Sequence, residues 1–135
     1  MTTTLLIIGS VFVGLAALIH VYIFYMESIT WTTPGTWRRF GIRNQEDADT
    51  IQPMAYNQGF YNAFLAVGAL AGIILASSPT LHQAGIALEL FTSLSMVLAA
   101  TVLVISSPRL ARAAALQGAL PLIGLVLIAI ALLSG

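Results

Sequence analysis

The 135-residue chain is 59% apolar and 7% charged, with a formal net charge of zero. A soluble domain ordinarily carries roughly 25% charged residues, so this chain lacks the polar surface of a soluble monomer. Five arginines, no lysine and no net charge exclude a nucleic-acid binder, and the absence of cysteine excludes a disulfide scaffold and thiolate metal sites.

An integral membrane protein remains. A bilayer core about 30 Å thick is crossed by about 20 apolar residues in a helix. Four apolar runs meet that length, over residues 5–25, 54–76, 84–105 and 113–133. They predict helices over about 5–27, 53–76, 84–106 and 113–134, in one all-α domain spanning 1–135. Their continuous apolar character, without strand-like alternation, argues against barrel strands. A helix also pairs every backbone group within its own segment, as lipid requires.

The first run lacks the basic flank of a secretory signal, so a retained helix is expected there. Thr32 to Gln52 form the one long connection. In it Thr33 is a candidate N-cap, Pro34 suits the first helical position and Gly41 can end the turn. Trp37 and Phe40, with Arg38 and Arg39 beside them, predict a short interfacial helix between helices one and two. Asn44 and Asp47 read as a cap for helix two, in which case Pro53 kinks it early; alternatively Pro53 opens it. Ser77-Ser78-Pro79 and Ser106-Ser107-Pro108 stop helices two and three.

Arg38, Arg39 and Arg43 lie in the first connection, and Arg109 and Arg112 in the third. With four spans these two connections share a face, and arginine-rich loops stay cytoplasmic. Both termini and the 77–83 turn are therefore expected outside. Glu46, Asp47 and Asp49 balance the first connection's charge, but the rule counts basic residues.

Polar residues inside apolar runs carry most information about function. His20 and Glu27 are seven apart and share a face of helix one, with Trp31 one turn further on. On helix two, Asn57 and Tyr61 are four apart, as are Gln58 and Asn62. Depth counting sets His20 beside Tyr61 or Asn62, and Glu27 beside Asn57 or Gln58. Gln117 on helix four falls on the same, cytoplasmic side. His20 and Glu27 are the candidate proton-transfer groups; Asn57, Gln58, Tyr61, Asn62, Gln117 and Trp31 are the candidate ligand contacts.

A plainer reading makes these residues interhelical glue, with Trp31, Tyr22 and Tyr25 forming an aromatic belt. His20 with Glu27 offers only two metal ligands, so no metal and no cofactor is expected. Glu89, with Thr92 and Ser93 following, stands apart in the outer part of helix three. It reads either as a carboxyl satisfied by its neighbours or as an external site or oligomer contact, with His82 beside it. Gly68 and Gly72, Gly14 and Ala17, and Ala99 and Ala100 offer small surfaces for close packing inside the bundle or between protomers. Gly59 and Pro121 are candidate bends.

Three stretches carry a resemblance. They are His20 to Glu27 running on to Trp31-Thr32-Thr33-Pro34, then Asn57-Gln58-Gly59-Phe60-Tyr61-Asn62 and the four residues after it, then Leu116-Gln117-Gly118 with Pro121. The chain resembles the small bacterial membrane proteins of the domain of unknown function numbered 1304. The resemblance implies four helices and a bacterial inner membrane. It implies no established activity, and Glu89 is not part of its motif.

The leading functional expectation is a polar, cytoplasm-facing intramembrane pocket for an amphipathic, lipid-like ligand. An enzymatic version would be metal-independent proton transfer by Glu27 or His20, with Tyr61, Asn57 and Asn62 orienting the substrate. A second class is an accessory subunit of a larger membrane complex. A third is an oligomeric transporter or channel, against which the lack of a charged path counts. Membrane lipid, a homo-oligomer or a larger complex are the expected partners, and nucleic acid is not.

Overall fold

The computed structural model describes residues 2–134. It is all-helical, with four helices long and apolar enough to cross a membrane. Helix α1 covers Thr2–Phe24 and continues as one π-helical turn, Tyr25–Ile29. Thr30 ends it, its N–H returning to the Tyr25 carbonyl at 3.0 Å.

The short interfacial element is present between the first two spans. Helix α2 covers Pro34–Trp37 and tightens into a 3₁₀ turn over Arg38–Phe40. Gly41 closes it at φ 81°, a left-handed backbone that favours glycine. Thr33 occupies the N-cap position in extended backbone, yet its hydroxyl makes no capping bond. That hydroxyl donates back to the Thr30 carbonyl instead, at 2.8 Å. Trp37 also turns towards protein rather than lipid. It packs with Trp31, Ala48 and Ala55, and is 3% exposed.

Helix α3 covers Gln45–Ala76. Asn44 caps it: Oδ1 accepts from the Asp47 N–H at 2.8 Å, and Nδ2 donates to the Asp47 carboxylate at 2.8 Å. Acidic Glu46 and Asp47 in the first turn suit the positive end of the helix dipole. With that start, Pro53 lies inside α3 and does not open it. The cap and its acids nucleate two turns ahead of the proline. The hydrogen bond that Pro53 forfeits lies where the chain has only just reached the bilayer.

A 32-residue helix is about 48 Å long, well beyond the hydrocarbon thickness. Counting about 20 residues back from Ala76 puts the hydrocarbon boundary near Asn57. The first turns of α3 therefore stand in the head-group layer.

Helix α4 covers His82–Ser106, and α5 covers Ala111–Leu133 after a 3₁₀ turn at Pro108–Leu110. Both α4 and α5 begin two residues before their expected starts. The spanning helices pack as a ring in the order α1, α3, α4, α5, with α1 and α5 closing it. Val13, Ala16, Ala17, Ala66, Ala69, Ile86, Met96 and Ile128 form the central core.

Such small side chains let backbones approach, the usual source of helix affinity in lipid. A Cβ at Gly72 would lie 2.9 Å from the Glu89 nitrogen. One at Gly68 would lie 2.9 Å from the Thr92 methyl. This glycine pair therefore serves α3–α4 packing within the bundle. Ala100 meets Gly118 of α5, and Gly14 faces Ile73.

Candidate functional site

The π turn brings Glu27 round to face α3. Such single turns occur often at functional sites, because they rotate the following side chains out of the α register. Glu27 is buried, and its Oε2 accepts from Asn62 Nδ2 at 2.9 Å. The same Asn62 nitrogen donates to the Gln58 carbonyl at 3.1 Å. Beside this tie, Ser28 Oγ donates to the Tyr56 carbonyl at 2.9 Å.

Gly59 permits the approach. A Cβ there would strike Ser28 Oγ and come within 3.1 Å of Glu27 Cβ. A third tie lies one level further out, where Trp31 Nε1 donates to the Ala48 carbonyl at 2.9 Å. Three side chains from one short stretch thus fasten α1 to the first half of α3.

The expected polar cluster is only partly assembled. Glu27 and Asn62 meet, whereas Glu27 was expected one turn away, at Asn57 or Gln58. Asn57, Gln58 and Tyr61 face outward from α3, Tyr61 being 54% exposed. His20 is buried, but its Nδ1 pairs with the Ala16 carbonyl of its own helix at 2.9 Å. Gln117 is half-buried on α5, and no hydrogen bond links it to the Glu27–Asn62 pair among the described residues. Trp31 is buried against α3. His20 and Glu27 are both buried, but no hydrogen bond joins them among the described residues.

A cleft of about 330 Å³ lies instead on the other side of the π turn, under α2. Tyr22, Tyr25 and Met26 form its α1 wall, and Thr30, Thr36 and Arg39 face them. Arg39 Nη1 donates to the Tyr22 hydroxyl at 3.0 Å. The Thr36 hydroxyl pairs with those of Thr30, at 3.1 Å, and Thr33, at 2.8 Å. One guanidinium, one phenol and a chain of hydroxyls therefore meet at the arginine-bearing end of the bundle.

These residues were largely missed from sequence, where Tyr22 and Tyr25 read as a belt and Thr33 as a cap. The available signal was three threonines at spacing three, 30, 33 and 36, around Pro34. Among the described residues, no three His, Asp or Glu side chains gather as a metal site.

The family model described as "Protein of unknown function (DUF1304)" matches residues 14–129. The chain belongs to this family. The match takes in both the Glu27–Asn62 tie and the threonine-lined cleft. No curated protein and no solved structure matches this DUF1304 chain.

Proposed function

We propose that this DUF1304 protein resides in a bacterial inner membrane and binds an anionic, amphipathic, lipid-like molecule at its arginine-bearing, cytoplasmic end. The observation that carries the reading is the cleft under α2. Arg39 and the Tyr22 hydroxyl offer donors to an anionic head group, while Tyr25 and Met26 offer apolar surface to a chain. Charge-assisted bonds at a bilayer surface suit such a head group.

Glu27 and Asn62 then act as positioning residues. They hold the π turn whose other face forms the cleft wall. Neither they nor His20 line the cleft, so the proton-transfer version of the site gains no support from this geometry. A second reading, the accessory subunit, draws on the outward-facing Asn57, Gln58 and Tyr61 of α3. Polar side chains on a lipid-facing surface suit a partner helix.

The test uses the full chain in phosphatidylcholine nanodiscs titrated with phosphatidic acid, with bound lipid counted by native mass spectrometry. Retention of the anionic lipid should fall about tenfold in Arg39→Gln and less in Tyr22→Phe. Equal retention by parent and Arg39→Gln refutes the site. A stoichiometric membrane partner co-purifying in mild detergent, lost in an Asn57→Leu and Gln58→Leu double variant, would move the assignment to the subunit reading. Orientation has its own test. Thr80→Cys should react with an impermeant thiol reagent in intact cells, and Leu110→Cys should not; the reverse pattern inverts the topology.

A further inference from the structure

A second cleft, of about 580 Å³, lies at the opposite end of the bundle between α1, α3 and α4. Leu6, Ile7, Val11, Ile73 and Ile86 give it a mainly apolar wall. Ser10 is the polar group partway along it, with Ser77 and His82 towards the turn.

Behind Ser10 stands Glu89, 0% exposed. Ser10 Oγ donates to its Oε1 at 3.2 Å. Its second oxygen, Oε2, is buried with no partner among the described residues, as is the hydroxyl of Ser93 one turn along the same helix. A buried acceptor without a donor is costly, so a fully buried carboxyl with one free oxygen calls for a donor.

Among the described residues no arginine or lysine approaches it. All five arginines lie at the other end, four between the spanning helices and Arg112 in the first turn of α5. His82 is the titratable side chain that lines the cleft itself, Glu89 lying behind Ser10, and its Nδ1 is engaged by the Ala76 carbonyl at 2.6 Å.

We infer that this cleft binds a lipophilic ammonium, its apolar chain along the Leu6–Val11 face of α1 and its cationic head at Ser10, facing the Glu89 carboxyl. The chemistry is complementary throughout. The wall takes an alkyl chain, the hydroxyl of Ser10 accepts from an N–H, and Glu89 supplies the counter-charge in a low dielectric. This site lies at the opposite end from the anion cleft under α2 and shares no residue with it, so either can fail alone.

The experiment measures radiolabelled dodecylammonium on phosphatidylcholine nanodiscs with and without the full chain. Saturable binding above empty nanodiscs is expected, displaced by unlabelled dodecylammonium and not by dodecanol at the same concentration. Glu89→Gln keeps the shape and the Ser10 bond but removes the charge; it should weaken binding by at least about tenfold. Gly14→Phe places a ring in the cleft from α1 and should abolish binding without touching Glu89. Equal displacement by dodecanol, unchanged affinity in Glu89→Gln, or no saturable binding each overturns the inference. The competition between amine and alcohol uses the parent protein alone, so it decides even where a variant fails to fold.

Discussion

The two ends of the bundle handle buried carboxyls differently. At the arginine-bearing end, Glu27 meets a purpose-built donor, Asn62, and the neighbouring Ser28 and Trp31 also find carbonyls on α3. At the other end, Glu89 receives one hydroxyl and keeps one oxygen bare. The difference follows from what surrounds each group. The first end has a connection of fifteen residues, Thr30 to Asn44, and two tryptophans from which to build a small second core with α3. The second end has only a tight turn, Ser77 to Leu81, and helices in near backbone contact. Polar pairing there is limited to what the helices themselves present. Satisfied polar groups fasten a structure, while unsatisfied ones are where binding energy remains to be gained.

The largest effect that would break this contrast is at the tight end. A Cβ on Gly85 would strike the Ala76 backbone nitrogen, and backbone cannot move aside as a side chain can. Gly85→Leu should destabilise the bundle by about 3 kcal/mol or more, read as thermal unfolding in detergent. A loss no larger than that of an exposed substitution would show that α3 and α4 are not in such close contact.

At the fastened end, Glu27→Ala should cost about 2 kcal/mol, through the orphaned Asn62 amide and the lost side-chain packing. Glu27→Gln retains an acceptor for Asn62 and should recover most of that stability. Equal losses in both variants would mean that charge, not the hydrogen bond, holds the turn.

The two tryptophans sharpen the comparison within that same end. Trp31 donates to Ala48, whereas Trp37 Nε1 is buried with no partner among the described residues. Trp31→Phe should therefore cost about 1 kcal/mol more than Trp37→Phe. The smallest effect belongs to Tyr61→Phe. Its phenol is 54% exposed and makes no hydrogen bond among the described residues, so the change in stability should stay within about 0.5 kcal/mol. A loss of function in this variant with stability intact would mark the outer face of α3 as a contact surface.

Much of this architecture is legible in the residues. Hydropathy and length define four spans, because the bilayer demands about 20 apolar residues whatever the neighbours are. The interfacial segment is legible from Pro34, the aromatic–arginine run and Gly41, since these are local backbone preferences. Asn44 is legible as a cap for the same reason. Helix starts slipped by two residues at α4 and α5, where no side-chain cap marks the boundary.

The site was harder to read. Depth counting placed the right residue types at one level but paired Glu27 one turn too early. The π turn changes the phase of α1 there, and α3 begins eight residues ahead of Pro53. Neither is a property of composition. The outward direction of Asn57 and Tyr61 was equally hidden, because helix two carries polar residues on more than one face near its start.

By itself the sequence determined that this is a four-span helical membrane protein with its arginines on one side, because hydrophobic transfer and helix capping act through nearest neighbours along the chain. Only the tertiary structure decided that Glu27 is paired with Asn62, that Glu89 is left with a free oxygen, and that two clefts open at opposite ends. Those outcomes depend on the rotation of each helix about its axis and on how far one slides past the next. Both are set by the small residues at the contacts, Gly59 against the π turn and Gly72 and Gly85 between α3 and α4, which act across the bundle rather than along the chain.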